Sequence, residues 1–128
     1  MGVLDLLLSK DTKRLFERPE KTIEVARLSE VYGEPFVVRA RAMTMGEFDA
    51  LPKDGDIRTN VVLAGMVEPD LKNAALLEKL KPEGRNGPLL PTEAAARLFL
   101  PGEITAIYKV ISDLSGFGDD AVRELKKK

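Results

Sequence analysis

The 128-residue chain contains no cysteine, no histidine and no tryptophan, and only two tyrosines. Without cysteine, disulfides and thiolate metal sites are impossible. Without histidine, an imidazole general base, a Ser-His-Asp triad and the usual histidine-ligated zinc sites are excluded. Only Asp, Glu, Lys, Arg and Tyr remain for chemistry, and neither a catalytic residue nor a cofactor or metal is expected. A surplus of charge is missing as well: 20 Lys and Arg stand against 21 Asp and Glu, a net charge of −1. That balance leaves no basic footprint for nucleic acid. No apolar run approaches the roughly 20 residues that span a bilayer. The run Val3–Leu8 is interrupted by Asp5 and has no basic leader, so it makes a poor signal peptide. Met1-Gly2 does not fit myristoylation, because Leu6 stands where Ser or Thr is wanted. The expected location is the cytoplasm, with no membrane partner.

What is present is apolar material at 44% and charge at 32% of residues, enough for a modest core under a strongly charged surface. An apolar N-terminal segment is expected over residues 1–20, and a single α+β domain over 21–128. Within the domain, residues 21–42 read as a β-hairpin. Ile23 and Val25 alternate with polar neighbours, as do Phe36, Val38, Ala40 and Ala42, and period two marks a strand with one buried face. Gly33 and Pro35 punctuate the turn between them. The hairpin alone is marginal, so helices must cover it.

Helices are expected from residue 44 to 128. Thr44 and Glu47 form a capping box that opens a short helix to Leu51. Asp56 caps a buried helix over about Ile57–Val67, and Leu71–Leu80 supply another. Residues 81–91 carry Pro82, Gly84, Gly87, Pro88 and Pro91 and form a loop. Thr92 caps a helix through Phe99. Pro101 opens the longest helix, about Gly102–Leu114, with a stripe of Ile104, Ile107, Tyr108, Ile111 and Leu114. Gly116 and Phe117 fit a Schellman stop. Asp119 and Asp120 then start a last short helix that ends in Lys126–Lys128, acid first and base last, as the helix dipole favours. Phe36, Val38, Ile104, Ile107 and Ile111 are the expected core.

Signals for chemistry fail one after another. A calcium loop from Asp54 needs Gly at its sixth and Glu at its twelfth position, and finds Thr59 and Gly65. Gly84–Pro88 lacks the Gly-Lys-Ser/Thr ending of a phosphate loop, and Gly116-Phe117-Gly118 follows a helix rather than a strand. Glu17, Glu20, Glu24, Glu30 and Glu34 show no catalytic spacing. Arg27, Arg39 and Arg41 on a shared strand face lack the aromatic platforms of a nucleic-acid surface, so cross-strand charge pairing is their expected role. The leucines of the N-terminal segment stand out instead. Leu4, Leu6, Leu7 and Leu8 precede every core element, and either pack on the domain or serve association. Leu4, Leu7 and Leu8 are the candidate partner-binding residues.

Taken in order, several segments resemble the tail assembly chaperones of phages and prophages of Gram-positive bacteria. They are Ile23–Ala42 followed by Met43-Thr44-Met45-Gly46-Glu47-Phe48, then Val67–Asn73, Leu100–Ile104 and Ile111–Phe117. The similarity runs over residues 21–118. It implies a non-enzymatic factor, absent from the finished virion, that binds the long tape measure protein and keeps it soluble during tail assembly. The tail tube protein is a second candidate partner, and self-association a further one. The resemblance carries over no catalytic residue. A structural head–tail connector or tail component is the alternative expectation, and a small regulatory or nucleic-acid-binding protein a more distant one.

Overall fold

Two strands with one apolar and one polar face open the domain, β1 (Glu20–Glu24) and β2 (Val37–Arg41). They pair antiparallel, Ile23 opposite Val38 and Glu20 opposite Arg41. Along β2 the burial alternates: Val38 and Ala40 are fully buried, whereas Val37 and Arg39 face solvent. The expected strand pairing is present, but its connection is not a simple turn. Ala26–Tyr32 forms a helix, α2, stopped by Gly33 in the left-handed conformation (φ 71°). Arg27 therefore leaves the strand face on which it was expected.

The computed structural model describes residues 2–125. Besides those named, its elements in chain order are α1 (Val3–Ser9), α3 (Met45–Asp49), α4 (Ile57–Gly65), β3 (Met66–Glu68), α5 (Ala74–Lys79), α6 (Pro91–Leu98) and α7 (Pro101–Ser112). A single π-helical turn, Asp113–Phe117, ends α7, with Gly116 at φ 91°. The fold is α+β: a three-stranded antiparallel sheet in the order β1-β2-β3, covered by helices.

β3 is a correction to the expected helix 57–67. That helix ends at Gly65, and the next three residues pair with β2 across a bulge between Arg39 and Ala40. Met66–Glu68 continue the apolar run of α4, so local pattern does not separate them; the free edge of β2 does. A second correction concerns the C-terminus, where residues 119–125 contain turns and bends but no helix. The remainder of that expected helix, Lys126–Lys128, lies outside the described residues. A third is the start of α6: Leu90, not Thr92, occupies the N-cap.

The core lies between the sheet and the crossing of α4 with α7. Val38, Val62, Ile107 and Ile111 are its most enclosed large side chains, and Ile104 is also buried. Phe36 is only half-buried, because it stacks on exposed Tyr32 with ring centroids 6.0 Å apart. Helix starts are fixed by carboxylates. Glu47 accepts from the Thr44 amide (3.0 Å), Glu93 from the Leu90 amide (2.9 Å) and Glu103 from the Leu100 amide (2.8 Å). In each case the third helical residue satisfies an orphan backbone donor.

Candidate partner-binding surface

Every residue from 2 to 17 is exposed, and burial begins at Arg18. Within this arm, α1 forms because leucine is a good helix former and the first turn is closed locally. The Gly2 amide donates to Asp5 Oδ2 (3.2 Å), and Ser9 Oγ donates to the Asp5 carbonyl (2.6 Å). Seven residues are too few for a helix to be stable alone in water. A turn at 12–16 follows, built on Thr12, whose carbonyl accepts from the Leu15 and Phe16 amides. Val3, Leu6 and Leu7 line a shallow depression with Leu15. Leu4 and Leu8 lie one turn apart on the flank turned away from it. Of the three candidate residues, Leu4 is 67%, Leu7 56% and Leu8 76% exposed. The arm meets the domain where Arg18 donates to Glu47 Oε1 and to the Ala42 carbonyl.

That anchor borders an open cleft of about 710 Å³ between the α3–α4 connection, β3 and the start of α6. Leu51, Leu63, Val67 and Leu71 supply apolar lining, and exposed Leu90 stands at one side. Arg41, Glu47, Asp70 and Lys72 supply charge to the lining, and the side chains of Arg41 and Glu47 pair loosely at 3.9 Å. Asn60 shapes this region: buried, it donates to the Pro52 and Asp54 carbonyls (3.4 and 3.1 Å) and ties the preceding loop to α4. A smaller apolar patch joins Phe48 of α3 to Phe117 after α7, with ring centroids 5.5 Å apart. Phe117 thus reaches across to another helix and stays 61% exposed.

Several charged side chains are engaged structurally. Arg27 grips Glu103 with two hydrogen bonds of 2.9 Å and also donates to the Leu98 carbonyl (2.8 Å). The Arg27 hydrogen bond, then the Leu100 amide, hold the Glu103 carboxyl below its ordinary range. Arg85 holds Glu93 in the same way at 2.8 and 3.0 Å and, with the Leu90 amide, lowers its pKa from 4.5 to about 2. The residues weighed as a calcium loop have other tasks: Asp56 caps α4 through the Arg58 amide (3.0 Å) and pairs with the Arg58 guanidinium. Glu20 and Arg39 approach across the strands to 3.7 Å, the pairing expected of that face. Arg41 turns instead to Glu47. Among the described residues no group of three or more Asp or Glu is clustered as a metal site, and no buried side-chain polar atom lacks a partner. What this surface offers a ligand is apolar area.

The three leucines were legible as a run that precedes the core. The cleft was not, since its lining comes from four separate stretches of chain. Exposed Leu90 and Leu100 do carry a local signal, each standing just before a proline that opens a helix.

No curated protein and no solved structure gives a significant match to the chain. A profile of the family described as "Phage XkdN-like tail assembly chaperone protein, TAC" matches residues 54–127. The segments at 67–73, 100–104 and 111–117 fall inside that range, and the strand–helix–strand opening at 20–41 lies before it. The match covers more than half of the 128 residues, and the chain belongs to this family of phage tail assembly chaperones.

Proposed function

We infer that this chaperone is a non-enzymatic binder of the tape measure protein, which it keeps soluble while the tail is assembled. The carrying observation is the uncovered apolar arm: five large aliphatic side chains between Val3 and Leu8, all at least 44% exposed. A tape measure is a very long, largely helical chain whose apolar stripes aggregate when unshielded. Laying such a stripe against an apolar surface is helix-in-groove recognition. Leu4, Leu7 and Leu8 contribute either to that binding or to self-association. At about 25 cal/mol per Å², covering a few leucines supplies several kcal/mol before ordering costs. Binding of that strength is reversible, as displacement by tail tube subunits requires. The protein acts in the host cytoplasm and is left out of the virion.

Co-expression tests this reading. With the chaperone present the tape measure stays soluble and co-purifies; a tape measure that remains insoluble and unbound refutes the assignment. Mass spectrometry of purified virions finds no copy of the chain, whereas a structural tail component would be present.

A further inference from the structure

β1 is an outer strand of the sheet and pairs with β2 along one side. Antiparallel strands turn the main chain of every second residue to the same neighbour. The Val25 amide donates to the Phe36 carbonyl (3.0 Å), and the Ala42 amide donates to the Pro19 carbonyl (2.9 Å). By the register between these bonds, Lys21 and Ile23 also turn their main chain to β2. The amides and carbonyls of Glu20, Thr22 and Glu24 therefore point outward, and they have no partner among the described residues. The edge is open as well: every residue of β1 is exposed except the half-buried Ile23.

We propose that this edge takes an extended segment of another protein as a further antiparallel strand, with basic residues opposite Glu20 and Glu24. A short, charged edge discourages indiscriminate pairing. Its charge pattern also chooses what can pair. The side chains of Glu20, Thr22 and Glu24 share the solvent face, so an added strand meets both carboxylates on that face. Glu24 accepts from Ser29 Oγ and has no cationic partner among the described residues, and Glu20 has Arg39 at 3.7 Å. Across a strand pair opposite charges attract and like charges repel. The other face presents Lys21 and Ile23, which fit an acidic and an apolar residue. A second copy of β1 is the wrong occupant. In the antiparallel register that pairs all five residues, Thr22 faces Thr22 and each Glu20 faces a Glu24. The charges that turn away a copy therefore specify a partner. From its N-terminus the complementary segment runs basic, apolar, Thr-like, acidic, basic. Main-chain bonds along the edge supply affinity, and the alternating side chains supply specificity.

The inference goes beyond tape measure binding and uses no residue of the arm. Its probe is the synthetic peptide acetyl-Thr-Lys-Val-Thr-Glu-Lys-Thr-amide, titrated at low salt into the isotope-labelled full chain and followed by NMR. The amide resonances of Glu20, Thr22 and Glu24 shift, and their hydrogen exchange slows. Exchanging Lys and Glu within the peptide weakens binding by at least about tenfold, because every charge pair becomes repulsive. Glu20→Lys/Glu24→Lys inverts that preference. Thr22→Pro removes an outward amide that the pairing with β2 does not use, so the domain still folds and binding is lost. If Thr22→Pro melts early, the charge-reversed chain decides alone. A wild type whose edge amides do not respond overturns the proposal. So do two peptides that bind alike, a charge-reversed chain that keeps the original preference, and a folded Thr22→Pro chain that binds as the wild type does. Edge amides already protected without peptide, in a chain that dimerises, would assign the edge to a second copy and overturn it too. None of these results touches the co-expression test of tape measure binding.

Discussion

Gly65 ends α4 directly against Ile111 of α7: a Cβ placed on Gly65 would lie 2.5 Å from Ile111 Cγ2 and 2.9 Å from its Cδ1. Glycine is required here by the neighbour rather than by backbone conformation. Ile111 cannot yield, because it is fully buried and β-branched, with one strongly preferred χ1 in a helix. Gly65→Ala should therefore destabilise the domain by about 1–3 kcal/mol through overpacking, despite alanine's better helix propensity. Urea unfolding measures it. A stabilised variant would show that α7 can move away, and that the two helices do not pack as closely as their crossing implies.

One turn away on the same helix, Ile107 is 1% exposed. Ile107→Ala should cost about 2–5 kcal/mol, the range for a large aliphatic truncated in a core that cannot collapse fully. Equilibrium denaturation is again the measurement. A cost below about 0.5 kcal/mol, typical of surface substitutions, would contradict the placement of this helix face.

Acid should unfold the domain through its helix starts. The carboxyls of Glu93 and Glu103 are held low first by arginine hydrogen bonds, and that of Glu47 first by the Thr44 amide. A folded pKa below the unfolded one gives stability that is complete above the unfolded value and lost as pH falls through the folded value. For Glu93 that window runs from 4.5 down to about 2. The melting temperature should thus fall steadily below about pH 4.5. Glu93→Gln should flatten the profile within that window and lower stability at neutral pH. A variant whose pH profile matches the wild type would mean that the Arg85–Glu93 pair is not formed in solution.

How much of this was legible depends on the range of each interaction. The alternation in Ile23–Val25 and Phe36–Ala42 announced two strands because it is local. Ala26–Tyr32 between them was harder: Val25 and Val31 carry β-branched character into a segment that becomes helical before Gly33 stops it. Glu103 was recognisable within a helix start, but its partner Arg27 lies 76 residues away, and no spacing rule connects them. β3 exists only because β2 has an edge to fill. The cleft is a property of the assembled fold for the same reason. The apolar arm was plain in the sequence, and whether it packs on the domain was not; its leucines remain exposed.

That exposure separates stability from binding in a single deletion. Removing residues 1–8 takes away α1, in which no residue is buried, and keeps Arg18, whose bonds to Glu47 and the Ala42 carbonyl fasten the chain to the domain. The truncated protein should melt cooperatively, with a stability within about 0.5 kcal/mol of the full chain. Its capture of co-expressed tape measure should drop, because the leucines that bind the partner or join copies are gone. Retained capture with an unchanged melt would leave the arm without a part in binding, and direct attention to the cleft and the Phe48–Phe117 patch. A large loss of stability would mean instead that α1 packs on its own domain in solution. Triple substitution of Leu4, Leu7 and Leu8 to Ser separates side chains from length. It should weaken capture as far as the deletion does, since the leucine side chains and not the peptide backbone supply the apolar area.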